Sequence, residues 1–287
     1  MRGRQRFLCL YCNRQFIPPA DRTRVRLRLW KEYVWHQQTL KQLATQYRRS
    51  IRWVQKQLDL APTDRIQREP QRIIAVADTT YFGRGYGILV IRCPRMRRNL
   101  HFHEVVSESP TEYLKARQEL ESRGYVLEAA VIDGKRGVAR AFEGMPVQLC
   151  QFHQMAIMRR YLTSRPKLEA GKELRALALS LTTSTEKIFG ELLDLWHQKW
   201  HTFLQERTYD NDGIHWQHTH KKIRSAYRSL KTNLPYLFTW KKYPKLKIPN
   251  TTNSIDGYFS RLKQLLNSHR GLTIKRRYKM IQEILDQ

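Results

Sequence analysis

The feature that most constrains this chain is a change of hydrophobic period at about residue 71. "RIIAVAD" (72–78), "GILVIR" (87–92) and "LHFHEVV" (100–106) are short apolar runs, separated by the turn-forming "GRG" and "PRMRRN". Three such runs in close succession predict three strands joined as a meander. "SPTEYLKARQELESRG" then predicts an amphipathic helix stopped by Gly124. "YVLEAAVID" reads as a fourth strand, "KRGVARAFE" as a short helix, "PVQLC" as a fifth strand and "FHQMAIMRRYL" as another helix. The expected fold class is therefore α/β.

This element order is that of the ribonuclease H-like fold, in which the first and fourth strands lie side by side. Asp78 ends the first predicted strand and Asp133 ends the fourth, so the two carboxylates are expected to converge at one sheet edge. Carboxylates held together repel, and their pKa values rise unless a cation bridges them. Hard oxygen ligands without His or thiolate favour Mg²⁺ or Mn²⁺. Two such ions about 4 Å apart suit attack on a phosphodiester, and a third carboxylate is needed to hold the second ion.

Asp256, in "PNTTNSIDGYFSRLK" (249–263), is the candidate. "NTTN" supplies helix-capping chemistry with Asn253 as the expected cap, and Ile255, Phe259 and Leu262 step along one helical face. A carboxylate in a first helical turn is stabilised by the helix dipole by about 0.3 to 1 kcal/mol. Taken alone, Asp256 is thus most simply a helix-start carboxylate, with a metal ligand the alternative.

Charge adds the next constraint. Lys and Arg number 53 against 25 Asp and Glu, a formal charge of +28. Residues 1–70 hold 16 basic and 5 acidic residues, 71–150 hold 12 and 9, and 151–287 hold 25 and 11. A nearly neutral centre between two basic flanks points to a chemical core gripping a polyanion, most simply nucleic acid, with a membrane surface the weaker alternative. No apolar run approaches the roughly 18 residues of a membrane span, and "MRGRQRFLCLYC" lacks the apolar core of a signal peptide, so an intracellular protein is expected.

In the first flank, residues 21–36 read as a helix with Val25, Leu29, Trp30 and Tyr33 on one face. Leu40, Leu43 and Ala44 mark a short second helix, "QYRRS" a turn, and Ile51, Val54 and Leu58 a third helix capped by Ser50. This is the pattern of a helix-turn-helix, which would present Arg48, Arg49, Arg52, Gln55 and Lys56 to a DNA groove; the plainer alternative is a three-helix packing unit with a basic face. Residues 154–249 read as almost entirely helical. Trp196, Trp200, Phe203, Tyr227, Tyr236, Phe238 and Trp240 are the expected core there, with base stacking the alternative role for one or two.

Together, the helix-turn-helix, "VADTTYF", "VIDGKRG", "CQFHQ" and "NTTNSIDGYFSRLKQLLNSHRG" resemble the bacterial insertion-sequence transposases of the Mutator-like group, over essentially the whole chain. The resemblance implies a DDE or DDD triad of Asp78, Asp133 and Asp256, two Mg²⁺ or Mn²⁺ ions, and Cys150 and His153 as a Cys-x-x-His pair supporting the site or the local structure. It also implies double-stranded DNA partners (terminal inverted repeats and target), a homodimer on DNA, and a place in the cytoplasm at the bacterial nucleoid. The family usually has Glu in a "TNxxE" setting where this chain has Asp256, which implies either a DDD subgroup or impaired activity, and the intact surrounding motif favours the former. Asp78 and Asp133 are 55 residues apart and Asp133 and Asp256 are 123 apart, the longer gap matching an inserted helical domain. "GRQRFLCLYCNRQF" is similar to one knuckle of a zinc ribbon, with Cys9 and Cys12 as half of a four-ligand zinc site, from a start site assigned too late or a decayed N-terminus.

The expected organisation is a partial zinc-ribbon-like segment (1–20), a helix-turn-helix (21–70), the first part of a ribonuclease H-like core (71–153), an all-helical insertion (154–249) and the final core helices (250–287). The expected activity is metal-dependent DNA strand cleavage and transfer. The alternatives are a DNA-binding transposase relic and a nuclease without strand transfer.

Overall fold

The computed structural model describes residues 6–16, 22–63 and 69–286. In chain order, β1 (Phe7–Leu8) and β2 (Gln15–Phe16) form a small hairpin, followed by α1 (Thr23–Val34), α2 (Leu40–Gln46) and α3 (Ile51–Asp59). A central stretch holds β3 (Arg72–Tyr81), β4 (Gly87–Cys93), β5 (Arg98–Val105), α4 (Pro110–Ser122), β6 (Val126–Ile132), β7 (Val147–Leu149) and α5 (Gln151–Leu162). Then come α6 (Glu169–Leu179), α7 (Glu186–Gln205), β8 (Arg207–Tyr209), β9 (Trp216–His218), α8 (Lys221–Leu237), α9 (Thr239–Lys242), α10 (Asn253–Asn267) and α11 (Ile274–Leu285).

Contacts divide the chain into two compact units. The smaller comprises 1–66 with 262–284, the larger 67–261 with 285–287. The sequence boundary at 250 assigns all of 250–287 to the final helices of the expected core, whereas 262–284 groups with the N-terminal helices. The reason is a set of partners the sequence pattern does not reveal. Arg276 makes two 2.9 Å bonds to the Asp59 carboxylate, Lys279 Nζ donates to the Leu58 carbonyl at 2.6 Å, and Tyr33 stacks on His269 at 3.9 Å. These cations sit at the C-terminus of α3, where unpaired carbonyls and the helix dipole favour positive charge.

Helices α2 and α3 form where expected. Thr39 and Gln42 make a reciprocal capping box, and the Ser50 hydroxyl accepts the Trp53 N–H at 3.2 Å. Leu29, Trp30, Tyr33, Val54 and Leu58 are buried, but Val25 and Ile51, expected on the apolar faces, are exposed.

The larger unit is built on a five-stranded mixed sheet in the order β5-β4-β3-β6-β7. β3 pairs antiparallel with β4 and parallel with β6, so the first and fourth core strands are neighbours. β3 and β4 are buried along nearly their whole length, which is why they read as continuous apolar runs. α4 covers the sheet with Tyr113, Ala116 and Leu120, while α5 to α8 share one hydrophobic core with it. The segment 154–249 is therefore not a separately packed body, and it is not all-helical: β8 and β9 pair as a hairpin. Trp196 and Phe238 are buried in this core, Trp200, Phe203 and Tyr227 pack against it, and Tyr236 is exposed. No helix among the described residues is long and apolar enough to cross a membrane.

Candidate active site

Strand register brings the first two carboxylates level. β3 and β6 run parallel with Val76 opposite Val131. Asp78 and Asp133 each lie two residues further on, so they emerge side by side at the same edge. Asp78 does not end its strand as expected. β3 continues to Tyr81, paired on its other side with β4 through Asp78 opposite Val90. What ends at this level is β6, and that leaves Asp78 with a neighbour on one side and the site on the other.

The third carboxylate arrives through a lacing of two segments 99 to 102 residues apart. The Gln151 N–H donates to the Asn250 carbonyl at 2.9 Å, and the Asn250 amide donates to Gln151 Oε1 at 3.0 Å. The Thr252 N–H and hydroxyl reach Cys150 Sγ at 3.3 and 3.4 Å. α10 starts at Asn253, with the Thr252 carbonyl accepting the Ile255 N–H at 2.8 Å, so Thr252 and not Asn253 occupies the cap position. The Thr252 hydroxyl also lies 3.5 Å from Asp256 Oδ2 and 3.4 Å from His153 Nδ1. Ile255, Phe259 and Leu262 are buried on one face, which turns Asp256 in the first turn toward the carboxylates.

Two groups of metal-ligating atoms result, and they share one residue. Asp78, His153 and Asp256 each offer an atom within 4.8 Å of the others, and so do Asp78, Glu108 and Asp133. Glu108 is a residue that pattern reading missed. Its carboxylate accepts the Tyr113 hydroxyl at 2.6 Å and pairs with Lys135 Nζ at 3.2 Å. Beside the carboxylates lies a cleft of about 500 Å³ lined by Asp133, Gly134, Lys135, His153, Ile157 and Arg160, whose three cations suit an anionic chain.

Electrostatics in this cluster are those of carboxylates short of positive charge. The Asp78 pKa is pushed up to about 7, by burial first and then by the charges of Asp133 and Asp256, against the Thr79 N–H bonded to Oδ1 at 2.7 Å and the charge of His153. Asp256 is also raised, by burial, against His153 and the Thr252 hydroxyl. His153 is pushed up to about 9, first by its bond with Cys150 and then by the charges of Cys150, Asp78 and Asp133, so it is a cation at neutral pH. Burial alone would raise the Cys150 thiol, but bonds from His153 and Thr252 bring it below its ordinary value. Cys150 is fully buried and linked to His153 and Thr252, so it braces the site and does not face it.

A divalent cation fits this donor set. Asp78 is only 7 % exposed, and its Thr79 N–H partner leaves room for a cation on the remaining carboxylate oxygen. The carboxylate oxygens, from three residues in one group and two in the other, suit Mg²⁺ or Mn²⁺, with His153 beside them as a cation.

The remaining predicted residues lie in the smaller unit. Arg48, Arg49, Arg52 and Lys56 are exposed and Gln55 is half-buried. Arg48 takes a positive φ of 50° at the turn between α2 and α3. Cys9 and Cys12 sit in the β1–β2 hairpin, where the Cys9 N–H donates to the Arg14 carbonyl at 2.9 Å. The backbone N–H groups of Cys12 and Tyr11 bond the Cys9 thiol and lower its pKa. Among the described residues no third metal-ligating side chain joins this pair.

Comparison of the sequence with models of known protein families and with curated proteins returns no match.

Proposed function

We propose that this protein is a DNA transposase with a ribonuclease H-like core and a DDD triad of Asp78, Asp133 and Asp256. The observation that carries the reading is the shared carboxylate: Asp78 belongs both to a group with Glu108 and Asp133 and to a group with His153 and Asp256. That is the arrangement two-ion phosphodiester chemistry requires. Asp78, Glu108 and Asp133 would hold one ion and Asp78 and Asp256 the other. Bound Mg²⁺ or Mn²⁺ would supply activation of the attacking water or 3′-hydroxyl and stabilisation of the leaving oxygen. His153, cationic at neutral pH, is suited to donate to a non-bridging phosphate oxygen. Lys135 and Arg160 in the adjoining cleft are suited to hold the flanking DNA backbone. The basic α2–α3 face, with Arg48, Arg49, Arg52, Gln55 and Lys56, is the proposed reader of element ends.

The test is Mn²⁺-dependent cleavage of a labelled duplex carrying the element's terminal inverted repeat. Wild-type protein should cut and form joined products with target DNA, and Asp133→Asn should do neither. Cutting by Asp133→Asn at the wild-type rate would end the proposal, and cutting without joining would reduce it to a nuclease.

A further inference from the structure

A second cationic feature lies away from the carboxylates, between α7 and α8. α8 carries Lys221, Lys222, Arg224, Arg228 and Lys231 and no acidic residue. Its third to fifth cations, at spacings of four and three, fall on one helical face. With about 1.5 Å rise per residue they extend over roughly 10 Å, a length in which one strand of B-DNA presents about three phosphates. Here the face borders a cavity of about 200 Å³ that is also lined by His197, His201 and Tyr227.

The walls of this cavity are fixed. His197 lies flat on Tyr227, with ring centroids 4.4 Å apart and planes 10° apart. Arg224 Nη1 is anchored on the Leu204 carbonyl at 2.6 Å, and Lys231 on Asp194 at 2.5 Å. Arg228 is exposed and has no ion-pair partner among the described residues. His197 is held below its ordinary pKa by burial and by the charges of His201, Lys231 and Arg224, partly offset by Asp194. The field in the cavity is therefore positive, with one carboxylate against three permanent cations. An unneutralised cation on a rigid, positively charged wall is suited to an anion from outside the protein. The volume admits a tetrahedral phosphodiester group together with several waters of about 30 Å³ each.

We propose that this α7–α8 cavity binds a backbone phosphate of DNA, with Arg228 as its principal contact and Arg224, Lys231 and the two histidines completing the cradle. The identity of the polyanion rests on the transposase reading; the anion site itself rests on the cavity. Such a contact carries no sequence information and positions the duplex.

The experiment is fluorescence anisotropy with the full chain and a 30-bp duplex of arbitrary sequence, in EDTA, across 50 to 300 mM KCl. Arg228→Ala should weaken binding several-fold at 100 mM KCl and make the log K against log salt slope shallower by about 0.9, the loss of one phosphate contact. Arg228→Glu should weaken it further. Arg165→Ala, which removes an exposed cation elsewhere in the larger unit, should change affinity less than twofold and leave the slope alone. The proposal is overturned if the two Arg228 variants behave like wild type or like Arg165→Ala, or if the wild type binds no duplex. Mn²⁺-dependent cleavage is read on the same proteins. An Arg228 effect without any wild-type cleavage would keep the cavity and remove the transposase, and cleavage without an Arg228 effect would do the reverse.

Discussion

Replacing Asp78 by Asn should stabilise the metal-free protein, and the size of the effect follows from its surroundings. The carboxyl is 7 % exposed, near Asp133 and Asp256, and its pKa moves from an ordinary 3.8 to about 7. A carboxyl whose folded pKa lies above its unfolded value binds extra protons in the folded state between those two values. Stability therefore falls as pH rises from 3.8 to 7, and the full penalty is carried above pH 7. A shift of about three units at 1.36 kcal/mol each is a penalty of roughly 4 kcal/mol. Asn keeps the shape and the acceptor for the Thr79 N–H, and removes the charge. Part of the gain is returned because His153 loses an attractive neighbour, which leaves an expected stabilisation of about 2 to 3 kcal/mol at pH 8. For a unit of this size that is about 4 to 12 °C in the unfolding midpoint. Thermal unfolding in EDTA at pH 8 and pH 5 is the assay. The variant should melt higher at pH 8, the gap should shrink by at least half at pH 5, and Mg²⁺ should raise the wild type more than the variant. A variant that melts at or below the wild-type midpoint at pH 8 would refute the account of a cluster strained by unneutralised charge.

Three further outcomes are expected. Glu108→Gln should raise the Mn²⁺ concentration needed for half-maximal cleavage several-fold while leaving duplex affinity in EDTA unchanged, as seen in metal titrations of activity. Thr252→Val removes the hydroxyl that links Cys150, His153 and Asp256, and should lower the cleavage rate about tenfold or more, by loss of positioning, with little change in DNA binding. Arg276→Ala leaves Asp59 without its two bonds and should destabilise the smaller unit by about 1 to 3 kcal/mol in urea unfolding, with Arg276→Lys recovering part of it.

The five strands of the central sheet, α2, α3 and α4 were legible because their periods and caps are local: Ser50 and Thr39 bond within three residues of themselves. The pairing of Asp78 with Asp133 was legible at one remove, since strand order makes β3 and β6 neighbours. Asp256 needed the surrounding motif, because a first-turn carboxylate on its own says nothing about what it faces. Glu108 was not legible. It sits in the aperiodic "SES" between β5 and α4, and only the folded positions of Tyr113 and Lys135 bring it to the site. The one available signal was its place in chain order, at the sheet edge where strands one and four emerge. The β8–β9 hairpin had a signal that helical periodicity masked: "DNDG" is a turn sequence, and Gly213 takes a positive φ of 68° there. The attachment of α11 to α3 rests on long-range bonds with no local signature.

The lacing of Thr252 to Cys150 also sets an order of events in time. The Cys150 contact to Thr252 spans 102 residues, and contacts of such separation form late because a long loop must close before they are made. A nascent chain that has exposed its sheet already holds Asp78, Glu108, Asp133 and His153, but it acquires Asp256 only after α6, α7 and α8 have been synthesised and packed. The group that completes the second set of ligands is thus the last to arrive, and an unfinished or misfolded chain carries a basic surface without the complete carboxylate cluster.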